Sequence, residues 1–199
     1  PLFRNTEYTL GRVMAYLWGG RELISAPYSW PKPECCESAL DFFIGYLLFD
    51  AWIANQDRHD QNWAVIRAND GSLYLSPSFD HGSSMARNLS AEERFSRLST
   101  NDKSWHISYF VSKAQSAFRV GGSKNSRRRV GTLDAFVKAA SLNLRAAEAW
   151  RQKLHEVSED EILAVIEQMP IDWMSDIEKA FTHELLRLNR ERLLAVKLA

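Results

Sequence analysis

The chain has 199 residues, 45% hydrophobic and 12% aromatic, which suffices for one domain with a sizeable core and excludes intrinsic disorder. Its 25 basic and 25 acidic residues cancel, so no global field steers it to nucleic acid or an anionic membrane, and neither is expected as a direct partner. The two cysteines, Cys35 and Cys36, are adjacent; a bond between them would be strained and staple no loop, so a reducing, cytoplasmic setting is expected.

Residues 1–34 are expected to form an N-terminal extension or linker ahead of one helical lobe over 35–199. The stretch "TEYTLGRVMAYLWG" at 6–19 is weakly helical, and "SAPYSWPKPE" at 25–34 is broken by proline. No secretory signal pattern opens the chain, and a start at Pro1 rather than methionine suggests that something upstream is removed or carried elsewhere. From Ser38, "SALDFFIGYLLFDAWIAN" is apolar nearly all round, which predicts a buried helix; Asp41 and Asp50 interrupt it, and it is too short and too charged to span a bilayer.

Directly after that helix comes "NQDRHDQNW", residues 55–63. Two short apolar runs follow, Trp63 to Arg67 and Ser72 to Leu75, separated by "ANDG"; Asn69, Asp70 and Gly71 favour a tight turn, so a β-hairpin is predicted. Residues 81–104 are polar and without period, and are expected to be a long loop that can hold a short helical turn. Beyond residue 105 the pattern is helical: 104–118, 132–157 with a break near Leu142, 158–169 and 172–198. Ser158 with Glu161, and Ser175 with Glu178, have capping-box spacing. The biased stretch "GGSKNSRRR" at 121–129 is expected to be a solvated loop.

The chemistry is expected where the hairpin folds its ends together. Asp57 and Asn62 lie in the loop before it, and Asp80 follows it in "SFDHGSS". Hard oxygen donors grouped this way suit Mg²⁺, and a further carboxylate can take a proton from a hydroxyl nucleophile. That combination is the chemistry of phosphoryl transfer.

The two motifs "FDAWIANQDRHDQNW" and "SPSFDHGSSM" resemble those of the HipA-like Ser/Thr kinases, a divergent bacterial branch with many toxins of toxin–antitoxin systems among its members. The resemblance is strongest over about residues 40–88. Its aspartate-to-asparagine loop is also similar to that of the phosphatidylinositol 3- and 4-kinases. It implies a mainly α protein-kinase-like large (C-terminal) lobe with a small β-hairpin and without the small N-terminal lobe. It further implies ATP and Mg²⁺ as cofactors, with Asp57 as catalytic base, Asn62 and Asp80 as metal and cofactor ligands, and Arg58 and His59 as supports of the catalytic loop. His59 is a candidate for contact with the transferring phosphate, and Arg58 for an ion pair within the loop. The expected function is Mg·ATP-dependent phosphorylation of a protein Ser or Thr, in a toxin–antitoxin setting, with the small lobe supplied elsewhere, as a separate protein or by a longer chain. A lipid kinase of the phosphoinositide type and a non-catalytic pseudokinase lobe are the alternatives.

The remaining signals take plainer explanations. The other histidines have no zinc-site spacing with the cysteines. Trp52, Trp63, Trp105, Trp150 and Trp173 are expected in the core. The serines and Thr100 within 83–104 stand where an activation segment would follow Asp80, and are expected phosphorylation sites.

Overall fold

The computed structural model describes residues 8–19, 23–28, 31–121 and 128–198. The chain is mainly helical, as the sequence predicts, with two small sheets where a single hairpin was expected. Among the described residues, no helix is long and apolar enough to cross a membrane.

Helix α2 (Ala39–Trp52) is the centre of the fold: twelve of its fourteen residues are buried, and Phe49 and Trp52 are half-buried. Its all-round apolarity is satisfied because helices α1 (Leu10–Gly19), α5 (Thr132–Ala140), α6 (Leu144–Glu156) and α8 (Asp176–Ala195) pack on it from different sides. Its start is fixed by a capping box in which Asp41 N donates to Ser38 Oγ at 3.2 Å and Ser38 N to Asp41 Oδ2 at 2.9 Å. The other oxygen of Asp41 accepts from Asn143 Nδ2 at 2.7 Å, and its carbonyl from Trp150 Nε1 at 2.8 Å, so α6 is tied to the same helix start.

Residues 10–19 and 24–25, placed by sequence in the extension, contribute to this core. Leu10, Val13, Met14 and Leu17 of α1 are buried in the main cluster. Strand β1 (Ile24–Ser25) pairs in parallel with β3 (Leu73–Leu75), and β2 (Val65–Arg67) pairs antiparallel with β3, giving the order β1-β3-β2. The hairpin is the predicted one; its turn is closed by Ala68 N to Ser72 O at 2.9 Å, with Gly71 at φ 87°.

Two predicted segments differ. The stretch 81–104 contains a helix, α3 (Ala91–Ser99), which starts at a Ser90–Glu93 capping box and whose face buries only Arg94. Apolar periodicity is therefore nearly absent from it. Arg94 anchors it instead, donating to Ala86 O at 3.0 Å and Leu89 O at 3.2 Å with its guanidinium over Phe181 of α8. The helix predicted over 104–118 stops early: α4 covers Ile107–Ser112, and β4 (Gln115–Arg119) pairs with β5 (Arg129–Gly131). Ser116 and Phe118 are buried while Gln115 is exposed, a two-residue period hidden by the helical pattern before it. Most of the basic stretch at 121–129 lies outside the described residues.

The C-terminal helices agree with the prediction. The break near Leu142 separates α5 from α6, and Ser158 and Ser175 start α7 (Glu159–Glu167) and α8 through their predicted boxes. Of the five tryptophans expected in the core, Trp63 is buried and Trp52 and Trp150 are half-buried, but Trp105 and Trp173 are 39% and 78% exposed. Trp105 lies flat on the Arg97 guanidinium at 3.8 Å, which supplies a partner without burial.

Candidate active site

Helix α2 ends abruptly at Ile53, and Ala54 at φ 53° turns the chain out of it. This left-handed conformation costs a residue with a Cβ, so the surroundings must hold it there. Asn55 does so: its N donates to Asp50 O at 2.8 Å, its Nδ2 to Asp50 Oδ1 at 2.8 Å, and its Oδ1 accepts from Asp57 N at 3.2 Å. The loop is thereby clipped to the last turn of α2.

Arg58 is 1% exposed, and it joins three segments. Its Nε and Nη2 donate to Asp50 Oδ2 and Oδ1 at 2.9 and 2.7 Å, a bidentate pair inside the core. Its Nη1 donates to Asn62 O at 2.8 Å and Phe79 O at 3.4 Å, and its Nη2 also meets Ser78 Oγ at 2.8 Å and His81 Nε2 at 3.2 Å. All five N–H donors are thus engaged within the protein, and none is left for a phosphate. Arg58 binds the Asp57–Asn62 loop to the segment carrying Asp80. The Tyr8 hydroxyl closes the far side, donating to Arg58 O at 2.7 Å and accepting from Trp63 Nε1 at 3.0 Å. Burial raises the Tyr8 and Tyr46 hydroxyl pKa values, so both stay neutral donors.

Asp57 faces outward, its side chain 45% exposed. Its backbone carbonyl accepts from His59 N and Asn62 Nδ2, each at 2.8 Å, a tight turn that presents the carboxylate away from the core. Oδ2 accepts from Ser83 Oγ at 3.2 Å, and Oδ1 stands 3.6 Å from His59 Nε2. His59 Nδ1 accepts from Gln61 N at 3.1 Å, which leaves the ring proton of the neutral form on Nε2, toward Asp57.

Asn62 is 4% exposed; its amide nitrogen is spent on Asp57 O, while its Oδ1 accepts no hydrogen bond from another described residue. Asp80 follows the hairpin at φ 53° and is exposed, with no hydrogen bond or ion pair to another described residue. Next to it, burial and then the Arg58 charge lower the pKa of His81, so the ring stays neutral, its Nε2 2.8 Å from Ser78 Oγ and 3.2 Å from Arg58 Nη2. The donor set offers an amide oxygen and two carboxylates, one without a partner among the described residues and one bearing a single hydroxyl. That chemistry fits a hard divalent cation carrying phosphate oxygens.

The five residues predicted from sequence divide accordingly. Asp57, His59 and Asn62 share one loop, Asp80 is brought to it through Arg58, and Arg58 is itself an internal tie. Asp50, Asn55, Ser78 and His81 were given no role by sequence, and Ser83 only that of one among several expected phosphorylation sites. Asp50 carried a signal: an acid inside an otherwise apolar helix must meet a cation, and an arginine follows eight residues later.

No protein-family model matches the sequence, and no curated protein matches it. Among solved structures, the chain is similar to the crystal structure of a Helicobacter pylori proinflammatory kinase, CtkA, with a TM-score of 0.67 and 20% sequence identity. The match covers 95% of this chain and 64% of that one, so the chain spans a little less than two thirds of that protein's length. At that identity the likeness is one of fold: a mainly helical, kinase-like lobe with small sheets.

Proposed function

We propose that this chain is the large lobe of a HipA-like Ser/Thr protein kinase, and that a small lobe contributed from outside the sequence completes the nucleotide site. The observation that carries the reading is the Arg58 tie, which joins an Asp57–Asn62 loop to an exposed Asp80 across a hairpin. The kinase fold of the structural neighbour supports it. When bound, Mg·ATP supplies the phosphoryl group and neutralises its charge. Asp57 would receive the proton of the acceptor hydroxyl, Asn62 Oδ1 and the Asp80 carboxylate would hold the cation, and His59, with Nε2 toward Asp57, would be the candidate for contact with the phosphate. Catalysis of this kind rests on positioning and charge rather than covalent chemistry.

A protein acceptor is favoured over a lipid because the formal charge is balanced and supplies no general attraction to an anionic membrane surface. A pseudokinase is disfavoured by the open Oδ1 of the buried Asn62, which accepts from no other described residue and which a purely structural loop would pair. The toxin–antitoxin setting and an antitoxin partner rest on the sequence resemblance alone. The test is labelling with radioactive Mg·ATP by the product of the complete reading frame, with any separately encoded small lobe, offered protein extract or phosphoinositide vesicles. Labelled protein, abolished by Asp57→Asn and by Asp80→Asn in variants with unchanged circular dichroism, is expected; labelled lipid alone, or activity retained in either variant, overturns the reading.

A further inference from the structure

Among the hydroxyls that follow Asp80, one differs from the rest. Ser90 Oγ caps α3, Ser96 Oγ accepts from Trp105 Nε1, Ser99 Oγ donates to Phe95 O, Thr100 Oγ1 accepts from Asp102 N, and Ser104 Oγ donates to Asp102. Ser84 Oγ is buried without a partner. Each of these is held by local structure or sealed from solvent. Ser83 is half-buried, and its hydroxyl donates to Asp57 Oδ2 at 3.2 Å across 26 residues of sequence. It thus makes the contact that an acceptor hydroxyl must make with a catalytic base.

We infer that Ser83 is a self-phosphorylation site, occupying the acceptor position of its own catalytic centre and closing that centre once modified. The inference rests on the kinase reading above and adds its regulation. In the step, the Ser83 O–H bond breaks and its proton passes to the Asp57 carboxylate. Oγ forms a bond to the γ-phosphorus of the nucleoside triphosphate, and the bond from that phosphorus to the bridging oxygen breaks, releasing the diphosphate.

The product explains why the reaction limits itself. Phosphoserine carries a charge of about −1.5 to −2 at neutral pH. It would stand against Asp57 and three residues from Asp80, while Arg58, the arginine of the same loop as Asp57, has every donor committed elsewhere. With no free cation offered by Arg58, the phosphate repels both carboxylates and denies the base to any other hydroxyl. Loss of general-base help is worth about 10²-fold or more in rate.

The complete protein, incubated with Mg·ATP and a protein acceptor, tests this by peptide mass spectrometry and a progress curve of acceptor labelling. Phosphate is expected on Ser83, with a wild-type rate that decays about 10²-fold as Ser83 fills. The Ser83→Ala progress curve should stay linear, and Ser83→Thr should restore both phosphate and decay. Labelled acceptor with unmodified Ser83, or a Ser83→Ala curve that decays like wild type, overturns the inference while leaving the kinase reading intact. Absence of transfer to any acceptor overturns both.

Discussion

Replacing Arg58 with methionine keeps the aliphatic volume and removes the guanidinium. Asp50, 3% exposed, then keeps only the Asn55 amide on its carboxylate, and the carbonyls of Asn62 and Phe79 lose their charged donor. Breaking a buried ion pair from one side costs about 3–5 kcal/mol, a large share of the roughly 5–15 kcal/mol that holds a typical domain together. For a domain of this size, 1 kcal/mol moves Tm by about 2–4 °C, so Arg58→Met should lower Tm by about 6–20 °C. The double variant Asp50→Leu with Arg58→Met leaves no buried charge and should recover part of that loss, the remainder being about 1–3 kcal/mol for the abandoned carbonyls. Urea unfolding followed by circular dichroism measures both. A single variant within about 1 kcal/mol of wild type, or a double variant no better than the single, would refute the account of Arg58 as the internal tie.

Gly45→Ala should destabilise by about 1–3 kcal/mol, because an added Cβ would lie 2.6 Å from Trp150 Cε2, and the indole could yield only by giving up its bond to Asp41 O; thermal denaturation with tryptophan fluorescence reports both effects. Thr182→Val should be neutral or stabilising, since the buried Thr182 hydroxyl has no hydrogen-bond partner and valine matches its shape; a loss above about 1 kcal/mol in urea titration counts against this. His81 has a folded pKa below its ordinary value near 6.5, so the unfolded chain takes up a proton first and stability falls as pH drops through that value. In His81→Gln the urea midpoint should depend less on pH between about 5 and 7, and an unchanged slope would remove His81 as the cause.

What the sequence made legible follows from how far each signal reaches along the chain. Helix α2 is legible because apolar residues on every face leave no other solution, and the hairpin because Gly71 meets a local conformational demand. Asp57, Asn62 and Asp80 were candidates through spacing and a resemblance that quoted them. Helix α3 was missed because it is supported by Arg94 reaching back to two carbonyls, a tertiary arrangement without apolar period. The 115–119 strand was missed because its partner lies beyond a stretch with no strand signal of its own. The Asp50–Arg58 pair shows the same limit: both residues were visible, but the donors' destinations, Phe79 O and Ser78 Oγ about twenty residues on, are set only by the folded hairpin.

The parallel pairing of Ile24 with Leu73 sets an order on folding. The β2–β3 hairpin closes across a short turn, an event of microseconds, whereas β1 must close about 50 residues of chain that include the whole of α2. The third strand is therefore expected to dock after the hairpin has closed. Until then the Leu73–Leu75 edge stands open, able to pair with the same edge of another molecule. Nascent chains are thus most exposed to strand-mediated self-association in the interval between hairpin closure and β1 docking, and deletion of residues before α2 would make that interval permanent.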